Sequence, residues 1–479
     1  MSELPKGWVE CDLQDISELI TKGTTPTTLG FKFLESGIRF IKIENIKNKR
    51  IVTNSITDFI SSEAHESLRR SQLKLNDILF SIAGTIGEAC LVKKEDIPAN
   101  TNQAVAIIRG TTFYCIPQFL LYQLSSLTIK LLKEKARGGA MNNISLGDLR
   151  TAKIILSPLN EQRRIVAKLD SLFARSRRAR EELERVPKLC DRYKQAVLAA
   201  AFRGDLTADW REENISEPLL EDRALIDGRL TDLLNLPNEW VWTNVSHVAS
   251  VTGGLTKNQS RISFEKKAPY LRVANVYANE LRLDDIAEIG IADSEWERVK
   301  LKAGDLLIVE GNGSLEQIGR VALWHGEIEP CVHQNHLIKL RVKNIISPKF
   351  ALYWLLSPSG RRAIEQVASS SAGLHTLSIS KVSALPIPLC AVQEMEVVVE
   401  RIEKLFKAID LMEQEYQKAS KLCDRLDQAT LSKAFRGELV PQDPNDEPAA
   451  ALLERILAEN SAQTKGKSVK SKQRSGGQS

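Results

Sequence analysis

Long apolar runs are missing from this 479-residue chain. The longest, such as AVLAAAF at 196–202, are far too short to span a bilayer. The opening MSELPKGWVECD lacks the apolar stretch that directs secretion. Cysteine is sparse: seven residues, an odd number, with no CxxC pair. That pattern fits reduced thiols and excludes a disulfide framework. Together these absences predict a soluble, cytoplasmic protein. Catalytic equipment is also missing. No GxxxxGK[ST] loop, no GxGxxG after a strand and no Asn-Pro-Pro-aromatic tetrapeptide occurs. Cys331, His333 and His336 lie close in CVHQNH, but no second ligand cluster stands at zinc-like spacing, so no metal site is expected. Asp284 and Asp285 have no general-acid partner and read as a solvated turn.

What remains is ample core-forming material and a nearly balanced charge. Hydrophobic residues make up 43%, which excludes wholesale disorder. The net charge is +5, from 66 Lys plus Arg against 61 Asp plus Glu. The final TKGKSVKSKQRSGGQS carries five cations and no acid, so the body is neutral, 61 against 61. Within that body, 158–205 is the most cationic stretch at +5, while 206–235 and 438–463 are each −5. Two equal acidic stretches at matching places hint at a repeat.

The repeat is explicit. LPKGWV at Leu4 returns as LPNEWV at Leu236, and FLLYQLSS at Phe119 as FALYWLLS at Phe350. CDRYKQAVLAAAFRGDL at Cys190 returns as CDRLDQATLSKAFRGEL at Cys423, with 11 of 17 positions identical. The offsets are 232, 231 and 233, far longer than a solenoid period, so the chain is a duplicated domain pair. The segments 10–150 and 242–383 share little sequence, whereas those near 160–206 and 393–439 share much. One frame is kept twice and carries a different module each time.

The frame segments read as helices. Apolar steps of four and three run through Ile165, Leu169, Leu172, Ser176, Ala179, Leu183, Val186, Cys190, Tyr193 and Val197. The second run, in the same register, is Val398, Ile402, Leu405, Ile409, Met412, Tyr416, Ala419, Cys423, Leu426 and Thr430. A 3.5-residue repeat predicts helices that pair along a seam, with an ordinary helical hairpin on a globular core as the plainer reading. Forty residues would reach about 60 Å at ~1.5 Å per residue. Pro187 should kink the first helix.

The variable modules read as mixed α/β, with short β-rich runs such as IRFIKI (38–43) and DLLIVEG (305–311), and a helix in each, at 117–136 and 347–368. Their loops suit DNA. Lys42, Asn45, Lys47, Asn48, Lys49 and Arg50 adjoin one strand; Thr85, Asn102 and Gln103, then Arg137, Asn142 and Asn143, occupy further loops of the first module. The second offers Arg272, Asn275, Asn312, Ser314, His333, Gln334, Asn335 and His375. Cations and backbone N–H groups near glycine hold phosphates; Asn, Gln and Arg can pair with base edges.

Taken together the chain resembles the specificity subunit of a type I restriction-modification enzyme. The resemblance rests on LPKGWV and LPNEWV, on PLNEQRRIVAKLDSLF at the first helix start, on AFRGDL and AFRGEL, and on PAAALLERILAE before a Lys-rich tail. VQEMEVV at 392–398 departs from NEQRRIV, leaving the second helix start open. The resemblance implies an α+β fold of two tandem mixed α/β target recognition domains, separated by two long helices paired as an antiparallel coiled coil, with an internal pseudo-twofold. The corresponding divisions are 1–157, recognition domain; 158–206, central helix kinked near Pro187; 207–235, acidic linker; 236–390, second recognition domain; 391–437, C-terminal helix; 438–463, acidic segment with a short helix; and 464–479, a basic disordered tail. It further implies that each domain reads half of a bipartite double-stranded DNA target. Two methyltransferase (M) subunits and restriction/translocase (R) subunits are the implied partners. S-adenosylmethionine, ATP and Mg²⁺ belong to those partners; this chain would bind no cofactor and hold no catalytic residue. A common partner needs a common surface, which points to Phe202, Arg203, Phe435 and Arg436 as a dock. A stand-alone sequence-specific DNA-binding protein and a nuclease with a cryptic site are the alternatives.

Overall fold

The computed structural model describes residues 4–110, 115–136, 143–214, 235–371 and 374–458. The chain divides into two units, Met1–Leu183 with Ala419–Ser479, and Glu184–Lys418. The expected positions Arg137 and Asn142, most of the acidic linker and the basic tail lie outside the described residues. Among the described residues, no helix is long and apolar enough to cross a membrane.

Each unit builds its module on a four-stranded antiparallel sheet. In the first the order is Ser17–Lys22, Val105–Gly110, Ile78–Ser81, Ala89–Leu91. In the second it is Ala249–Gly253, Leu337–Val342, Leu306–Val309, Val321–Leu323. The strands ILFS and LLIV are buried on both faces, which explains their unbroken apolar character. A three-stranded sheet with one parallel pairing adjoins each: Phe59–Ile60, Ile38–Ile41, Ala99–Thr101 in one, and Ala287–Gly290, Lys267–Leu271, Val332–His333 in the other. One module helix, Pro117–Ala136, is continuous. Its counterpart is not the single helix expected over 347–368: Ser357 and Pro358 divide it into Pro348–Leu356 and Pro358–Val367. Proline at 358 has no N–H to continue the ladder, and the Ser357 hydroxyl accepts the Gly360 N–H instead (3.1 Å).

The frame begins in helix Leu159–Leu183, is interrupted by a turn at Glu184–Arg185 beside Pro187, and resumes as Val186–Phe202. The second frame helix is one piece, Val392–Ala434. Its start, left open by the divergent VQEMEVV, is fixed by Glu394. The Trp240 indole N–H donates to the buried Glu394 carboxylate (2.9 Å), as Trp8 donates to the buried Glu161 (2.8 Å). The repeated Trp of LPxxW thus ties each module's first strand to the helix that follows it.

The other repeated motif completes the joint. Gly204 and Gly437, from the two AFRG copies, have φ of +79° and +74°. A Cβ on Gly204 would come within 2.3 Å of Pro237, and one on Gly437 within 2.6 Å of Pro5. Only glycine allows both the left-handed backbone and that approach. Phe202 and Phe435 sit beside these glycines in the cores. Phe202 packs edge-on against Phe350 and Trp354 within the second unit, and Phe435 against Phe119 within the first.

Frame segments run antiparallel within each unit, since one partner's number falls as the other rises. In the first, Arg164 meets Asp446 (2.7 Å) and Arg180 meets Asp427 (2.9 Å) and Asp424 (3.1 Å). In the second, Lys194 meets Asp410 (2.9 Å) and Glu413 (3.3 Å), and Arg211 meets Glu394 (2.6 Å). The heptad expectation needs correction. Positions Leu169, Ser176, Cys190, Ile402, Ile409 and Thr430 are buried, but Leu405, Met412, Leu426 and Tyr193 are 39, 53, 60 and 53% exposed. One residue along stand the half-buried Phe406, Glu413, Asp427 and Lys194. The buried stripe is therefore shifted by one residue in its second set, and ion pairs occupy places that counting assigned to leucine.

Candidate nucleic-acid interface

Asn45 shows how the first reading surface is built. It is buried, accepts the Lys42 N–H (2.8 Å) and donates to the Ser55 carbonyl (2.8 Å). Asn275 repeats this, accepting the Arg272 N–H (2.8 Å) and donating to the Arg282 (2.8 Å) and Asp285 (3.0 Å) carbonyls. Both amides spend their hydrogen bonds on the fold, which corrects their expected role at base edges. Each pegs the root of a two-strand hairpin: Ile46–Lys47 with Arg50–Ile51, and Val276–Tyr277 with Glu280–Leu281.

The first hairpin turns at Asn48 and Lys49, both with positive φ (+51° and +61°), the geometry that a tight hairpin turn demands. Lys47, Asn48 and Arg50 are exposed. Lys49 is directed otherwise. Its ammonium lies 5.2 Å from the Phe173 ring on the first frame helix, and burial lowers its pKa. Beside the hairpin opens a cleft of about 600 Å³, lined by Ile43, Glu44, Lys47, Asn48, Thr85 and Glu88 among others. The sequence-predicted Lys47, Asn48 and Thr85 thus meet at one place. Ser81 shapes the Thr85 loop, donating to the Thr85 carbonyl (2.6 Å) and accepting the Glu88 N–H (2.8 Å). A backbone bridge between Ala83 and Asn143 adds the exposed Asn143. Lys42 instead pairs with Asp58 (2.7 Å). Asn102 accepts the Ala104 N–H (3.1 Å), and Gln103 bonds Thr25.

In the second module, backbone pairing sets Gly311–Asn312 against His375–Thr376, with Ser369–Ser371 on the far side. Ser314 is exposed nearby in sequence. Arg272 pairs with Asp285 (2.8 Å). Gln334 accepts the Val273 N–H (3.3 Å), and Asn335 is half-buried. His333 is fully buried with Nδ1 2.9 Å from the Leu337 carbonyl, so it is a core residue and not a contact for DNA. In CVHQNH, Cys331 and His333 are buried while His336 is exposed against Glu310 (2.9 Å), so the three side chains face different surroundings.

Burial, with the Lys339 charge second, depresses the His333 pKa to about 3. A histidine neutral in the fold stabilises it fully above its unfolded pKa of about 6.5, and that contribution is lost as pH falls toward the folded value. Unit two should therefore lose stability from about pH 6.5 down toward pH 3. A His333→Phe variant should flatten the pH dependence of its melting; an unchanged slope would show that other groups set it.

One group escaped sequence reasoning. Tyr277, in the hairpin equivalent to Lys47–Arg50, carries Arg282 at 3.9 Å and Arg320 at 5.0 Å from its ring centre. Aligning KIENIK on RVANVY through the shared asparagine would have found it. Two guanidinium groups around one aromatic ring, that of Arg282 also paired with Glu280 (2.9 Å), form a platform able to meet phosphate or a base face.

The family described as the type I restriction modification DNA specificity domain matches twice, over residues 5–186 and 237–421. The chain belongs to this family. The two matches open at the two LPxxW motifs and run through each module into its frame helix. Full-length relatives include the type I restriction enzyme EcoKI specificity subunit of Escherichia coli (strain K12), 28% identical over 96% of this chain and 97% of its own. The StySPI specificity subunit of Salmonella potsdam is 27% identical over 95% of this chain and 96% of its own. The fold is shared with a chain solved in work on complex assembly of the type I R-M system (TM-score 0.66, 21% identity, 92% of this chain and 100% of that one). It is shared also with the HsdS subunit from Thermoanaerobacter tengcongensis (TM-score 0.51, 19% identity, 91% and 98%). With two specificity domains, this is a type I restriction-modification specificity subunit: it recognises DNA sequence and does not itself catalyse.

Proposed function

We propose that each module reads one half of a bipartite double-stranded DNA site, and that the two frame helices pair as an antiparallel coiled coil that sets the distance between halves. One observation carries this reading. The hairpin root is built twice in the same way, on Asn45 and Asn275, while the tips differ completely, KNKR at 47–50 against YANE at 277–280. A constant support under divergent tips is what two independent readers require. Lys47, Asn48, Arg50, Thr85 and Asn143 contact DNA in the first half; Tyr277, Arg282, Arg320 and the loops of Asn312, Ser314 and His375 do so in the second. The 232-residue repeat supports a pseudo-twofold, which would present equivalent faces to two M subunits. R subunits complete the complex, and S-adenosylmethionine, ATP and Mg²⁺ reside on these partners. The exposed Leu405, Met412, Leu426 and Tyr193, with Arg203 and Arg436, provide the docking surface.

Substituting Lys47 and Arg50 by alanine should weaken DNA binding by the complex. It should also lower the slope of log affinity against log salt by about one for each phosphate no longer neutralised. Titrating affinity at several salt concentrations tests this. An unchanged slope and affinity would remove the hairpin from the interface. The genome-wide map of adenines methylated with the M partner tests the bipartite reading.

A further inference from the structure

Among the described residues, the ion pairs between the two long helices are sorted by helix, although Arg401 of the second meets Asp209 just beyond the end of the first, and we infer that this sorting specifies pairing of the first helix with the second and excludes pairing of like helices from two copies of the chain. The inference rests on the paired-helix reading above. Arg180 pairs with Asp424 and Asp427, and Lys194 with Asp410 and Glu413. Both cations come from the first helix and all four acids from the second.

The repeat shows what like-with-like pairing would bring together. At an offset of 233, Arg180 is equivalent to Glu413 and Lys194 to Asp427; Arg177 is equivalent to Asp410 and Asp191 to Asp424. If a first helix met another first helix in the same register, Lys194 would take the place of Asp427 against Arg180. Arg177 would take that of Asp410 against Lys194, and Asp191 would be the only acid among these positions. Two second helices would oppose Glu413 to Asp424 and Asp427, and Asp410 to Asp427, with no cation. Arg180, Lys194 and Asp427 are half-buried, so a like charge set against any of them is incompletely screened by water, whereas Asp410 and Asp424 are exposed and add less. The apolar positions offer no such discrimination: Leu169, Cys190, Ile402 and Ile409 would pack in either arrangement. Specificity of this kind comes from what the wrong pairing must bury.

The test uses the full chain with three substitutions, Lys194→Glu, Asp410→Lys and Glu413→Lys. These rebuild the second unit's ion pairs with signs exchanged, so the native pairing keeps its attraction. Both like pairings become attractive too. The new carboxylate at position 194 would face Arg177 and Arg180, and the new ammonium at position 413 would face Asp424 and Asp427. The single Lys194→Glu change should lower the melting temperature by about 2–4 °C, and the triple should recover it. Light scattering over a concentration series should then show the triple variant doubling in mass where the unaltered chain stays monomeric. Failure of the triple to recover melting overturns the paired-helix reading and this inference with it. Recovery without any gain in mass, or a dimeric unaltered chain, overturns the sorting alone. The matching triple in the first unit, Arg180→Glu with Asp424→Lys and Asp427→Lys, must behave the same way, and keeps the test decisive if the first variant misfolds.

Discussion

A chain whose residues 13–150 come from another specificity subunit should, with its partner subunits, methylate a site changed in one half and unchanged in the other. The boundaries follow from the joint. Pro5, Trp8 and the strand Val9–Asp12, which pairs with Lys153–Leu156, stay native, and so does the Glu161 carboxylate that Trp8 bonds. The strand pairing and the Trp8–Glu161 tie are then retained, while the hairpin at 46–51 and the Thr85 loop are exchanged and the incoming module must supply its own packing at the places of Phe119 on Phe435 and Lys49 on Phe173. Each changed base pair is worth about 1–3 kcal/mol, so even two would shift preference by at least about thirty-fold. Mapping methylated adenines for the native and exchanged proteins reads the result. A change in both halves, or in neither, would show that the modules do not read independently.

The second large effect concerns Phe202. Phe202→Ala should destabilise the second unit by about 3–5 kcal/mol, because a fully buried ring leaves a void between Phe350 and Trp354. The neighbouring Arg203→Ala and Arg436→Ala should leave stability nearly unchanged, since exposed ion pairs contribute little. Their partners, Asp205 at 2.6 Å and Glu438 at 2.7 Å, lie on the surface. Denaturant unfolding of the three variants separates core from surface. Binding of M subunits should then be weakened by the arginine variants while their stability is kept. A Phe202→Ala protein with native stability would contradict the core assignment, and arginine variants with native partner affinity would move the dock elsewhere.

That contrast also measures how much was legible in sequence. The repeat exposed the frame, its helices and its joint motifs, because identical residues at nearly constant offsets need no geometry to be seen. It did not say why the motifs are repeated. Phe202 and Phe435 suggested a shared partner surface, yet both are buried beside glycines that touch proline. The site was harder to read. Asn45, Asn275 and His333 look like DNA contacts by residue type and loop position, but polar side chains in loops also satisfy the loop's own backbone. Nothing in composition separates the two uses; only the partner atoms do. The seam failed for a related reason. Counting apolar residues favoured Leu405, Met412 and Leu426, whereas ion pairs such as Lys194 with Glu413 fill the shifted places.

The asparagine at each hairpin root has a consequence for how such a protein changes over time. Because Asn45 and Asn275 bind main-chain groups and one serine hydroxyl, the root of each loop does not depend on which side chains stand at the tip positions that keep an ordinary backbone, such as Lys47 and Arg50 in the first. New specificities can be sampled there one substitution at a time, with the foldedness of the chain left almost untouched.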